Sequence, residues 1–332
     1  MGPFNTLAGY RRRFNELAHA VGEGREVSRA ALQEVQVLRQ ELTAVRAGQK
    51  ALQAQMHDMT GRVGALQVAG VERADVEATF RADVITGLRR IHAEEAWHRR
   101  ALRELRATSA YEQAYTDPDP LVSVLIATYT RLDLLRSRAI PSILAQEHRN
   151  LEIVVVGDAA DFGEAELMAG FERSPIRFFN LVNRGPYPED VRRRWLVAGT
   201  PPFNEAMARA RGAWMALFAD DDSMRPHHVS SLLGAARERR LELAYGFLEM
   251  HRDGHPDAVL GAFPPQEGQF GLQAALLHGH LRLFELELSD ADFSVPNDWG
   301  LMERMLRAGV RVGRIDEIVA DYYPGMLGQG AQ

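Results

Sequence analysis

The chain has 332 residues, with 39 Lys and Arg against 45 Asp and Glu, so its formal net charge is −6. The absence of cysteine excludes disulfides, thiolate metal sites and cysteine nucleophiles. The mildly acidic balance argues against nucleic acid as a partner, because nucleic-acid-binding domains usually carry a basic face. There is no apolar run of about 18 residues and no secretory signal at the N-terminus. We therefore expect a cytoplasmic protein with no transmembrane segment.

The composition changes near residue 116. The chain up to about residue 110 is rich in Ala, Gln, Glu, Arg and Leu, whereas the segment 116–120, Thr-Asp-Pro-Asp-Pro, ends any helix. Short β-branched runs separated by loops and helical stretches follow it. This change predicts two units, a helical oligomerisation region over 1–115 and a second domain over 116–332.

The helical region carries a heptad pattern typical of a coiled coil. Glu34 and Glu41 fall at g positions, and Arg39 and Arg46 fall at the matching e positions. The a and d positions, all apolar except one, are Ala31, Val35, Leu38, Leu42, Val45, Gln49, Leu52, Met56, Met59, Val63 and Leu66. The pattern predicts a parallel homo-oligomer, either a dimer or a trimer. The alternative is that this helix packs on its own second domain.

The second domain alternates predicted strands with predicted helices. Strand-like apolar runs cover 122–128, 151–156, 176–182 and 214–219, and helical stretches cover 132–146 and 204–211. Such alternation predicts an α/β fold with a parallel sheet and right-handed crossovers. Ligands bind beyond the carboxyl ends of the strands in such sheets, so the polar residues at strand ends are the candidate site.

Three consecutive carboxylates, Asp220, Asp221 and Asp222, end the fourth run. Carboxylates that close together repel one another unless a cation neutralises them. Mg²⁺ and Mn²⁺ prefer one or two carboxylates together with phosphate oxygens and water, which suits a metal-bridged nucleotide diphosphate. The alternative is an acidic loop in which Asp222 or Ser223 caps the following helix.

Six segments, which keep the family's order along the chain, resemble the family 2 nucleotide-diphospho-sugar glycosyltransferases. Val122 to Arg131 is similar to the family's opening strand and nucleoside-binding turn, and Asp158 matches its base- or ribose-binding carboxylate. The other similar segments are 142–146, the helix 204–212 before the metal motif, the metal motif 216–222 with Pro226, and the acceptor-side segment around Asn297, Asp298, Trp299, Arg304 and Gly309.

The resemblance implies a GT-A fold, with a Rossmann-like, mostly parallel sheet flanked by helices. It also implies metal-dependent, inverting transfer of a hexosyl group from a nucleotide-diphosphate sugar, a UDP-sugar first of all, to an unidentified acceptor hydroxyl. Asp298 would be the catalytic base, and two of Asp220, Asp221 and Asp222 would hold Mn²⁺ or Mg²⁺ in a DxD-like motif. The donor would be bound by Thr128, Tyr129, Arg131, Asp158, Asn204 and Asp220.

Two other functions remain open at this point. A nucleotidyltransferase uses a similar sheet and acidic metal site, but it would need a glycine-rich phosphate loop, which residues 128–131 do not form. A coiled-coil scaffold with a degenerate, non-catalytic sugar-nucleotide-binding domain is the second alternative. Departures such as Gly157 in place of the first of a paired Asp-Asp bear on donor recognition more than on the fold.

Overall fold

The computed structural model describes residues 50, 52–63, 85, 94–252 and 255–324. The chain forms two compact units, Met1–Ala110 and Tyr111–Gln332. Among the described residues, no helix is both long enough and apolar enough to cross a membrane.

The described part of the first unit contains helical stretches at 52–63 and 94–106. Four predicted heptad positions, Leu52, Met56, Met59 and Val63, are partly covered on the first stretch, where most other residues are exposed. The heptad positions 31–49 and 66 lie outside the described residues. The coiled coil and the oligomer that it would form therefore stay predictions.

The second unit is built on a nine-stranded sheet with the order β3-β2-β1-β4-β8-β6-β9-β5, and β7 pairs with β6. The strands are β1 Val122–Thr128, β2 Leu151–Gly157, β3 Ile176–Asn180, β4 Trp214–Ala219, β5 Ser223–Met224, β6 Leu243–Met250, β7 Ala258–Leu260, β8 Ala275–His278 and β9 Val312–Tyr322. The apolar runs that predicted β1, β2 and β4 are buried almost throughout, as expected for strands covered on both faces.

The sheet is parallel in one half and mixed in the other. β1 pairs in parallel with β2 and β4, and β2 pairs in parallel with β3. In the other half, β8 runs antiparallel to both β4 and β6, and β5 runs antiparallel to β9. β6 and β9 form one more parallel pair. The expectation of a mostly parallel sheet thus holds for the first four strands of the order and not for the rest.

Seven α-helical segments in the described residues 109–324 lie between these strands or precede them. They are α1 Ser109–Thr116, α2 over 132–144 with a π-helical turn at Leu135–Ala139, α3 Glu164–Met168, α4 Val191–Leu196, α5 Thr200–Arg209, α6 His228–Arg239 and α7 Asn297–Ala308. Gly309 ends α7 in the left-handed conformation, at φ 85°, which glycine adopts without steric cost.

The end of α1 packs on the sheet of the second unit. Trp214 Nε1 donates to the Ala114 carbonyl at 2.9 Å, and the Tyr115 hydroxyl donates to the Leu241 carbonyl at 3.0 Å. The Tyr111 hydroxyl donates to the buried Glu242 carboxylate at 2.7 Å. Residues 111–115 therefore belong structurally to the core that β4 and β6 build.

Candidate active site

The strand register brings the predicted site residues to one edge of the sheet. Thr128, the last residue of β1, pairs with Gly157, and Ala127 pairs with Ala219. The residues that follow these positions in the chain, namely the turn after β1, Asp158 after β2 and Asp220 after β4, therefore leave the sheet side by side. This edge is the carboxyl end of three parallel strands, where ligands bind in sheets of this kind.

Asp220, Asp221 and Asp222 follow β4 directly, and all three side chains are buried. Burial raises the pKa of Asp220 to about 6, and it also raises the pKa values of Asp221 and Asp222. The physical cause is the loss of hydration, which penalises the charged form of a carboxyl group. We call these three residues the aspartate triad. A nearby cation would offset this loss of hydration.

Arg131 supplies one such cation. Its Nη1 donates to Asp221 Oδ2 at 2.7 Å and to Asp220 Oδ1 at 3.2 Å. These charge-assisted hydrogen bonds lower the pKa of Asp220 against the effect of burial. In this structure Arg131, predicted to bind the donor, lies against the first two carboxylates of the triad.

The Asp222 carboxylate accepts a hydrogen bond from a distant part of the chain. The antiparallel pairing of Ser223 with Asp321 brings the end of β9 beside the triad, so that the Tyr323 amide donates to Asp222 Oδ1 at 3.0 Å. Asp222 Oδ2 is buried and has no hydrogen-bond partner among the described residues. An orphaned carboxylate oxygen next to two further carboxylates fits a hard divalent cation, which takes oxygen ligands.

Asp158 makes a second group of contacts at the same edge of the sheet. Its Oδ1 accepts a hydrogen bond from the Gly185 amide at 3.1 Å, and Arg184 Nε lies 3.7 Å from its Oδ2. The Arg184 guanidinium also stacks 4.0 Å from the centre of the Tyr129 ring. Burial and the Asp158 carboxylate raise the pKa of the neighbouring Tyr187. A buried carboxylate beside a partly exposed aromatic ring is suited to a planar base or a ribose hydroxyl.

Asp298 lies in the first turn of α7, after the extended residue Pro296. Its Oδ1 accepts from the Trp299 amide at 2.7 Å, and the side chain of Asn297 donates to Thr200 Oγ1 at 2.8 Å. Burial raises the pKa of Asp298 to about 6, because the carboxylate is desolvated. A carboxyl group with this pKa is a suitable proton acceptor near neutral pH.

Tyr322 links Asp298 to the aspartate triad. Burial first of all, together with the carboxylates of Asp222, Asp221 and Asp298, raises the pKa of Tyr322 to about 12. The Tyr322 phenol is therefore in electrostatic range of both the triad and the start of α7.

Two predicted donor-binding residues have other contacts. The Asn204 amide makes two 2.9 Å hydrogen bonds to the backbone of Leu286, one from its Nδ2 and one to its Oδ1. This pair braces α5 against the segment before α7. The Thr128 hydroxyl is buried at the end of β1, and its interaction with Asp220 lowers the pKa of that carboxyl group.

The sequence reasoning missed Arg138, whose Nη1 donates to the Asp221 carbonyl at 2.6 Å. Its guanidinium also lies 4.0 Å from the centre of the Tyr323 ring. The Gly185 amide was missed as well. Neither carried a sequence signal, since Arg138 is one of two arginines on α2 and a backbone amide carries none.

A second group of potential ligand side chains, Glu249, His251 and Asp321, lies where β6 and β9 pair. Their ligand atoms lie within 4.8 Å of one another. Arg225 Nη2, however, already contacts Glu249 Oε2 at 2.5 Å and Asp321 Oδ1 at 2.6 Å. His251 Nε2 lies 2.7 Å from Asp321 Oδ1, and this contact raises the pKa of His251. The group is therefore an ion-pair network in which the Arg225 guanidinium takes the place that a metal ion would occupy.

Comparison with known proteins agrees with this geometry. Residues 123–261 match the family model of glycosyl transferase family 2. An uncharacterized glycosyltransferase of Rickettsia bellii is 26% identical over 204 residues, 57% of this chain and 28% of that protein. The succinoglycan biosynthesis protein ExoO of Rhizobium meliloti is 30% identical over 135 residues, 40% of this chain and 35% of that protein.

The chain thus spans about a third of the length of these curated relatives. Among solved structures, S. aureus TarS 1-349 in complex with UDP aligns with a TM-score of 0.47 at 13% identity, over 61% of this chain and 60% of that one. The matched segment 123–261 contains β1 to β7, and with them Arg131, Asp158 and the aspartate triad. Residues 123–261 are therefore similar to a glycosyl transferase family 2 domain.

Proposed function

We propose that the chain is a metal-dependent, inverting glycosyltransferase of the GT-A fold that uses a nucleotide-diphosphate sugar. The observation that carries the proposal is the meeting of Asp158 and the aspartate triad at one sheet edge, within the segment that matches the family model. Such an edge offers a nucleoside contact and a diphosphate contact side by side.

Donor binding in this proposal uses two neighbouring regions. Asp158 accepts a hydrogen bond from a base N–H or a ribose hydroxyl, and the partly exposed Tyr129 ring packs beside it. A UDP-sugar is the donor we would test first. The aspartate triad would hold Mn²⁺ or Mg²⁺, which stabilises the negative charge that develops on the diphosphate as it leaves. Asp222, with its orphaned buried oxygen, is the residue of the triad that most needs such a ligand.

Asp298 is the proposed general base. The acceptor hydroxyl gives its proton to the Asp298 carboxylate while its oxygen forms a bond to the anomeric carbon. The bond from that carbon to the diphosphate breaks in the same step, and the nucleoside diphosphate leaves with the electron pair. A base on the side opposite the leaving group predicts inversion at the anomeric carbon. The Trp299 amide fixes the orientation of the carboxylate.

A thermal-shift screen tests the proposal. UDP-, GDP- and dTDP-sugars are added with and without Mn²⁺, and at least one is expected to raise the melting temperature, more so with the metal. Asp221→Ala should abolish the Mn²⁺-dependent part of the shift. Asp316→Ala is the matched control, because this carboxylate is 82% exposed on β9 and should leave the shift unchanged. Stabilisation by none of the nucleotide sugars in the presence of Mn²⁺ would contradict the proposal.

Two further measurements, of product release and of stabilisation by a nucleoside triphosphate, separate the two alternatives. A non-catalytic scaffold would be stabilised by a nucleotide sugar without releasing nucleoside diphosphate from it. A nucleotidyltransferase would be stabilised by a nucleoside triphosphate and would release pyrophosphate. Each result would replace the glycosyltransferase assignment with another defined function.

A further inference from the structure

Arg131 contacts the oxygens that a divalent cation would need. One guanidinium nitrogen, Nη1, reaches both Asp221 Oδ2 and Asp220 Oδ1. A metal ion bound by these two carboxylates would lie close to the present position of that nitrogen. Two cations cannot share the position, because like charges a few Å apart repel strongly where little water screens them. Arg131 and the metal are therefore competitors for Asp220 and Asp221.

Arg131 is attached in a way that permits exchange. Its backbone, at φ −105° and ψ 42°, precedes α2 and is not helical, and its side chain is 27% exposed. Among the described residues, both hydrogen bonds of this side chain go to the triad. Arg138 differs, because it donates to a backbone carbonyl and its guanidinium stacks on the Tyr323 ring. Of these two arginines, Arg131 is the one that can leave the triad without breaking a backbone contact.

We propose that Arg131 is an exchangeable internal counter-ion that makes metal binding depend on the nucleotide. Without nucleotide it neutralises Asp220 and Asp221 and keeps divalent cations out. When a nucleoside diphosphate binds, the guanidinium moves to the diphosphate oxygens, whose geometry it matches well, and it frees the carboxylates for the metal. The inference rests on the proposed function, since it places a diphosphate next to the triad.

The proposal predicts reciprocal coupling between the two ligands. If the nucleotide raises the affinity for Mn²⁺ by some factor, Mn²⁺ must raise the affinity for the nucleotide by the same factor. Part of this factor would come from the displacement of Arg131, and the rest from direct contact between metal and phosphate. Removal of the Arg131 charge should therefore strengthen Mn²⁺ binding in the absence of nucleotide and weaken the coupling.

The experiment measures Mn²⁺ binding directly, from the electron paramagnetic resonance signal of the free ion, with and without UDP. For Arg131→Gln we expect the affinity for Mn²⁺ alone to rise by about 5- to 150-fold, the range typical of coupling between sites. Arg131→Lys keeps a competing cation and should bind Mn²⁺ as weakly as the wild type. Arg136→Gln is the matched control, because this α2 arginine donates to the Ala169 carbonyl, away from the triad, and should change nothing.

Circular dichroism melts of each variant check that it is folded, and Arg131→Met, which also removes the charge, replaces Arg131→Gln in the test if Arg131→Gln is unstable. The proposal is overturned if Asp221→Ala abolishes Mn²⁺ binding while Arg131→Gln leaves the affinity for Mn²⁺ alone unchanged. It is also overturned if Arg131→Lys binds Mn²⁺ as tightly as Arg131→Gln. Failure of the proposed function looks different, because then neither UDP nor another nucleoside diphosphate binds any variant, with or without Mn²⁺.

Discussion

The two halves of the sheet contribute to the candidate site in different ways. In the parallel half, the functional residues directly follow β1, β2 and β4, so each one is next to its strand in the chain. In the mixed half, Tyr322 and Tyr323 reach the triad through the pairing of β9 with β5, about 100 residues after it. The first half therefore carries the local sequence signals, and the second half closes the site through contacts that only the fold creates.

The largest effect in the parallel half is expected from Asp158→Asn. The substitution removes the charge that accepts from the Gly185 amide and from a bound nucleoside. Since a hydrogen bond to a charged group contributes about 1.5–3 kcal/mol, the affinity for the nucleotide should fall by about 10- to 150-fold. Isothermal titration calorimetry with UDP measures this affinity. Asp161→Asn, on the same loop and exposed, is the control and should bind normally. Equal affinities for both variants would contradict the assignment of Asp158.

The pH dependence of the turnover number tests the role of Asp298, which lies in the segment that leads to the mixed half of the sheet. The raised pKa of Asp298, about 6, means that the carboxylate gains a proton as the pH falls through that value, and the base is then lost. The turnover number should therefore fall about tenfold between pH 7 and pH 5. The measurement is made at saturating nucleotide sugar and Mn²⁺ at every pH, so that weaker donor binding does not enter. A turnover number that stays constant down to pH 5 would contradict a base that titrates near pH 6.

The smallest effects are expected from two glycine substitutions, which change the free energy of unfolding. A Cβ at Gly300 in α7 would collide with the Asp290 carboxylate, which pairs with Arg304 at 2.9 Å. Gly300→Ala should therefore lower the free energy of unfolding by about 1–3 kcal/mol. Gly234, in the interior of α6, has no heavy atom within 4 Å of a built Cβ.

Gly234→Ala should raise the free energy of unfolding by about 0.5–1 kcal/mol, because alanine favours the helix. Urea unfolding of both variants measures the difference. If Gly300→Ala is as stable as the wild type, the contact of α7 with Asp290 is not what holds the start of α7 in place.

The parallel strands and the residues after them could be predicted because each depends on a short stretch of sequence. A continuous apolar run predicts a buried strand, and the residues that follow it predict the site. The position of Arg131 could be predicted only to within its loop. The same guanidinium is equally suited to a phosphate or a carboxylate, and the sequence does not say which one it faces.

The mixed half could not be predicted because its pairings join distant segments. Nothing near Tyr323 indicates that its amide reaches Asp222, and the antiparallel return of β8 carries no motif. The role of Asn204 could not be predicted either, because an asparagine side chain can form hydrogen bonds with a ligand or with the backbone. Here it makes both of its described hydrogen bonds to Leu286.

The most direct test of the account separates donor binding from turnover in Asp298→Asn. The asparagine keeps the shape of the side chain and removes its basicity, so the thermal shift with nucleotide sugar and Mn²⁺ should match that of the wild type. Release of nucleoside diphosphate from the same donor should fall by about 10²- to 10⁴-fold, the usual contribution of a general base. Release at the wild-type rate would contradict the account, because Asp298 would then take no part in the reaction.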